Sequence, residues 1–156
     1  MFRRIFERNW NLILQALQHG TTPRMLALTC SLGVLIGIFP VYGSTTMLCF
    51  AAALAFRLNV LLIQAVNYLV TPLQLLLLLP LMQAGNRIFG WPPLPFSMDE
   101  LTVSLQADFW AFTQGIARSV AAGVAVWCVA SVLAMPLLFL GFFRIFHAIK
   151  NRRAAS

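Results

Sequence analysis

The chain's 156 residues leave room for one compact unit, 60% apolar and only 10% charged, with mean hydropathy +0.83. A soluble chain of this size keeps too large a surface to hide so much apolar material, which argues against a soluble enzyme or a disordered segment and for an integral membrane protein. The 11 Lys and Arg against 4 Asp and Glu give a net charge of +7, and because the basic residues lie at the ends of apolar runs they read as orientation signals, not as a nucleic-acid surface.

Within residues 1–19, Phe2, Ile5, Phe6, Trp10, Ile13, Leu14 and Leu17 recur at spacings of three and four, the pattern of an amphipathic helix. Arg3, Arg4 and Arg8 would suit a signal peptide, but Asn9, Asn11, Gln15 and Gln18 interrupt the apolar core such a signal needs. The segment therefore lies in the membrane interface or packs on the rest of the protein.

Three stretches then lack any Asp, Glu, Lys or Arg: 25–56, 58–86 and 119–143. A spanning helix needs about 20 apolar residues. The first stretch opens at Thr22-Pro23, a hydroxyl cap with proline in the first turn, and breaks at Pro40-Val41-Tyr42-Gly43. The arm from 25 to 39 is only about 22 Å long at 1.5 Å per residue, and the arm from 44 to 56 is shorter. Two short arms around a Pro/Gly break predict a re-entrant hairpin over 22–57, with Pro40 and Gly43 at the break.

Pro72 and Pro80 interrupt the second stretch. It predicts a broken transmembrane helix over 58–90, with a second hairpin turning near Pro72 left open. Residues 91–117 follow as a linker and an amphipathic helix. A proline-rich run precedes the capping box Ser97-Met98-Asp99-Glu100, and Met98, Leu101, Leu105, Phe109 and Phe112 share one face beyond it. Residues 118–143 are the cleanest transmembrane helix, with Pro136 tolerable inside it. A basic tail, 144–156, carries Arg144, Lys150, Arg152 and Arg153. The expected fold class is an all-α integral membrane protein forming a single membrane domain.

Charge chooses between the topologies. If the first stretch returns to its own side and the second spans once, Arg3, Arg4, Arg8, Arg24, Arg57 and the four tail charges share one side. Only Arg87 and Arg118, of the 11 basic residues, lie opposite. The positive-inside rule then predicts cytoplasmic N- and C-termini in a multi-pass protein of the bacterial inner membrane.

Polar residues inside the apolar mass are the candidates for chemistry. Gly33 and Gly37, four apart, suit close helix packing. Gly43, Ser44, Thr45 and Thr46 follow the Pro40 break, where a helix N-terminus favours an anion or the hydroxyls simply cap it. Gln64, Asn67, Thr71 and Gln74 fall on one helical face, as a polar path or as hydrogen-bonding glue between helices. Arg24 opens the hairpin and Arg57 closes it, so both emerge on one membrane face, as grips for a phosphate or as snorkelling anchors.

Catalytic constellations are missing from the sequence. His19 and His147 have no metal-ligand spacing, Cys30, Cys49 and Cys128 read as small buried hydrophobes, and no paired intramembrane acid is visible. An enzyme, a metal and a cofactor are not expected.

The run Thr22-Pro23-Arg24, then Gly33 through Gly37 to Pro40 and Gly43, then Arg57-Leu58-Asn59, resembles an uncharacterised bacterial membrane family, domain of unknown function 2062. The resemblance covers about residues 20–90, with the whole chain as its outer bound. Where many members carry Asn-Pro, this chain has Thr71-Pro72, as in a subgroup. The resemblance implies proximity to glycosyltransferase-like or lipid-modifying partners, hence a role near envelope lipid or lipid-linked glycan metabolism.

Two functions are carried forward. In the first, the protein binds or translocates a lipid, or a lipid-linked intermediate, with an anionic headgroup. Gly43, Ser44, Thr45 and Thr46 would cradle the headgroup, Arg24 and Arg57 would attract it, and Asn59, Gln64, Asn67, Thr71 and Gln74 would line a polar route. In the second, it is a non-transporting scaffold or accessory subunit for an envelope biosynthetic enzyme. Expected partners are membrane lipids, a second copy of the chain or that enzyme, and no nucleic acid.

Overall fold

The computed structural model describes residues 22–92 and 109–154, and every regular element among them is a helix. Helix α1 spans Pro23–Gly37, α2 Thr45–Ala55, α3 Val60–Phe89 and α4 Phe109–Ala154. The amphipathic segment expected at 1–19 and the capping box at 97–100 lie outside the described residues.

Local chemistry sets the helix ends. Thr22 Oγ1 accepts from Met25 N at 3.3 Å, and Pro23 takes the first turn, where a missing N–H costs nothing. Helix α2 ends in a Schellman motif, with Leu58 N donating to Ala53 O at 2.8 Å and Arg57 N to Leu54 O at 3.4 Å. Two residues later Asn59 Oδ1 accepts from Leu62 N at 3.0 Å and starts α3. Helix α3 ends in the same motif, with Trp91 N on Asn86 O and Gly90 at φ +67°.

Helix α1 is the centre of the bundle. Its Leu26, Ala27 and Cys30 bury against Leu62 and Val66 of α3 and Phe146 of α4, while Met25, Leu28, Leu32 and Ile36 back onto Cys49 and Ala53 of α2. Gly33 and Gly37 form the seam with α3. A Cβ on Gly33 would sit 2.9 Å from Val66 Cβ, and one on Gly37 would sit 3.3 Å from Val70 Cβ. Leu26 beside Leu62 and Phe39 beside Gln74 make α1 and α3 parallel. Phe146 beside Leu26 and Ser119 beside Asn86 make α4 antiparallel to both. Helices α3 and α4 are in tight contact at Gly85, where a Cβ would come within 2.6 Å of Ala122 Cβ.

Two expectations are corrected. Pro72 does not break its segment, because α3 runs unbroken from Val60 to Phe89 with both Pro72 and Pro80 inside it. The second hairpin therefore does not form, consistent with the tolerance of apolar helices for proline when neighbouring groups re-satisfy the backbone. The boundaries at 117/118 and 143/144 also vanish into one continuous 46-residue helix. Gly115 and Gly141 stand near these points, but an isolated glycine costs only about 1 kcal/mol in a helix and no turn dipeptide accompanies either.

Helices α3 and α4 are each long and apolar enough to cross a membrane. Only 22% and 6% of their most apolar windows are buried, unlike the core helices of a soluble protein. The bundle has two ends of different charge. Arg24, Arg57, Arg144 and Lys150 gather where α1 and α3 begin and α2 and α4 finish, and Arg87 and Arg118 mark the other end.

Candidate functional site

The α1–α2 hairpin turns partway along α3, between the levels of Gln64 and Gln74. Helix α1 stops at the break, so its last carbonyls lose their intrahelical partners. Local turns satisfy some of them, with Ile38 N on Val34 O at 3.1 Å and Phe39 N on Ile36 O at 3.0 Å. Side chains from the long helices add further donors, one of them to Leu35 O, which Ile38 N already reaches at 3.3 Å. Trp127 Nε1 of α4 donates to Leu35 O at 2.9 Å, and Gln74 Nε2 of α3 donates to Phe39 O at 2.8 Å. Phe39 also meets the Trp127 ring edge-to-face, with centroids 4.9 Å apart.

The polar stripe is thus turned toward the hairpin. Gln64 Nε2 donates to Thr46 O at 2.8 Å, and Gln64 Oε1 accepts from Asn67 Nδ2 at 3.4 Å. Thr71 Oγ1 donates back to Asn67 O on its own helix at 3.1 Å. Asn67 Oδ1 is buried with no hydrogen-bond partner. Gln64 and Gln74 thus act as struts for the broken backbone, whereas Asn67 and Thr71 bond within their own helix. Asn59 stands apart from the stripe as the cap of α3.

At the hairpin tip Gly43 adopts φ +88° with nothing within 4 Å of a built Cβ. Glycine is needed there for the left-handed turn and not for space. Ser44 makes no side-chain cap, because its Oγ donates instead to Val41 O at 2.9 Å. Thr45 is buried and Thr46 is exposed. Arg24 and Arg57 do not join this cluster. They lie at the other end of the hairpin, about 20 Å away along a 15-residue helix rising 1.5 Å per residue. One headgroup cannot touch the tip hydroxyls and the arginines together.

Arg57 carries a backbone cost. Its φ is +54°, the one positive φ outside glycine among the described residues. At the equivalent position ending α3 the chain uses Gly90. A side chain in this left-handed conformation costs about 1–2 kcal/mol.

Sequence reasoning missed three contributors. Trp127 lies within the apolar run 119–143, and nothing in its spacing announces an acceptor in another helix. Asn86 and Ser119, whose side chains bond at 2.9 Å, tie α3 to α4, and Asn86 was legible only as the end of an apolar run. Cys128 is exposed, where a buried side chain was expected, whereas Cys30 and Cys49 are buried.

An apolar groove of about 750 Å³ runs between α1 and α4, with Leu28, Leu32 and Ile36 on one wall and Cys128, Ser131 and Met135 on the other. This volume is within the range of ligand sites, roughly 300–1,000 Å³. Among the described residues no group of His, Cys, Asp or Glu is placed to hold a metal.

Fold and site together define an all-helical bundle with two helices suited to membrane crossing and a hairpin propped from within. A family model described as an uncharacterized protein conserved in bacteria, DUF2062, matches residues 8–155, and the chain belongs to that family. Neither the curated proteins nor the solved structures contain a match.

Proposed function

We propose that the protein is a multi-pass protein of the bacterial inner membrane that binds a lipid with an anionic headgroup at its basic end. The α1–α2 hairpin is re-entrant, and the basic end faces the cytoplasm by the positive-inside rule. The observation that carries this reading is Arg57. A guanidinium stands where glycine would be relaxed, and retained backbone strain points to a function for the side chain. Arg24, Arg144 and Lys150 share that end, and residues 22–92 and 109–154 contain no Asp or Glu to neutralise them. Lipid phosphates are the natural counter-charge at a membrane surface.

The proposal is confined to binding. Gln64, Asn67 and Gln74 are engaged with the hairpin backbone or with one another, so a polar route across the membrane has no support from them. The scaffold reading draws on a different observation. Met47, Leu61 and Leu76 are at least 70% exposed, an apolar surface that a partner subunit, a second copy or bulk lipid would cover equally well.

Lipid retention separates the two. Purified wild type should carry anionic lipid above its share of the source membrane, measured by mass spectrometry. Arg24→Ala with Arg57→Ala should lose it, while Ser44→Ala with Thr45→Ala should keep it. No enrichment in wild type, or enrichment indifferent to the arginines, leaves the scaffold reading standing alone.

A further inference from the structure

We propose that the groove between α1 and α4 holds one tail of that anionic lipid, taken from the leaflet on the basic side. This deepens the lipid-binding reading and rests on it.

The groove and the charge lie on one line. Arg24, Leu28, Leu32 and Ile36 follow one another at spacings of four, so they form a row along α1 with the guanidinium at its outer end. On α4 the wall runs from Phe139 near the basic end to Trp127 near the hairpin break. The walls, Leu28 to Ile36 and Phe139 to Trp127, span eight and twelve helical rises, about 12 and 18 Å at 1.5 Å per residue, against about 15 Å for one leaflet of a 30 Å hydrocarbon core. Depth and leaflet therefore match.

The inner end is fixed. Trp127 stands there, tied to Leu35 O and packed on Phe39, which Gln74 holds in turn. A tail entering from the basic side meets this floor at mid-depth. The lining is apolar apart from Ser131 and Cys128, which suits a hydrocarbon chain and excludes a headgroup. Charge complementarity selects the occupant. A cationic mouth over an apolar trough, in a region whose described residues lack any acid, fits an anionic lipid and disfavours a second copy of the chain, which would bring the same positive end to the same place.

The test fills the groove. Leu32→Trp and Ser131→Phe should each reduce the retained anionic lipid several-fold. Leu137→Phe, on an outward face of the same helix where Leu137 is 73% exposed, should not. Wild type that retains anionic lipid while both filled variants retain it equally overturns the groove and leaves the basic-end reading intact. Wild type that retains none overturns both. Because a filled variant can fail to fold, wild type is also photolabelled with phosphatidylglycerol carrying a diazirine in its tail. Adducts should map to Leu28, Leu32, Cys128 and Met135. Adducts spread evenly over Leu133, Leu137 and Leu140 contradict the site. So does efficient Cys128–Cys128 cross-linking in native membranes, which would put a second copy in the groove.

Discussion

Gln74 of α3 reaches across to Phe39 O, donating through Nε2 at 2.8 Å, while Gln74 itself is only 1% exposed. One amide thus closes a carbonyl left open where α1 stops. Gln74→Leu should lower stability by about 1 kcal/mol, because it removes the hydrogen bond to a half-buried acceptor. Thermal unfolding in detergent checks this. A midpoint unchanged from wild type would mean that the hairpin does not depend on this strut.

Trp127 performs the matching task from α4. Trp127→Phe keeps a ring beside Phe39 but removes the N–H that serves Leu35 O at 2.9 Å. A loss of about 0.5–1.5 kcal/mol is expected from the hydrogen bond alone, because Ile38 N still donates to Leu35 O. Trp127→Ala should cost more, about 3–5 kcal/mol, because packing goes as well. The same unfolding assay orders the two variants.

The glycines divide sharply by position. Gly85→Ala drives a methyl to within 2.6 Å of Ala122 Cβ and should separate α3 from α4, at about 1–3 kcal/mol or more. Gly141→Ala meets nothing within 4 Å inside a helix, and should stabilise by up to about 1 kcal/mol through helix propensity. Equal behaviour of the two variants in thermal unfolding would contradict the close crossing.

Arg57 offers a separation of stability from binding. Arg57→Gly relaxes the +54° φ and should raise stability by about 1 kcal/mol. Arg57→Ala removes the same charge without relaxing the backbone. Both should retain less anionic lipid than wild type, and only the glycine variant should melt higher.

Much of the architecture is legible in the residues. Thr22-Pro23 announces α1, Pro40 and Gly43 announce the break, and a stripe of Gln64, Asn67, Thr71 and Gln74 announces a face that must meet something polar. What the stripe meets is not legible, because Phe39 O and Thr46 O are backbone groups exposed only once the chain has folded back. Pro72 misleads for a related reason. Proline forbids one hydrogen bond but does not dictate a turn, and surrounding apolar residues with no other turn signal keep the helix going. Arg57-Leu58-Asn59 reads as a motif in sequence, yet only the positive φ reveals that its arginine carries a backbone cost.

Selective binding of an anionic headgroup is measured directly by native mass spectrometry of the full chain. The delipidated protein is titrated with phosphatidylglycerol and phosphatidylcholine of identical tails. A phosphatidylglycerol adduct forming at several-fold lower lipid concentration, and losing that advantage in Arg24→Ala with Arg57→Ala, is the predicted result. Adducts of both lipids at the same concentration would contradict it.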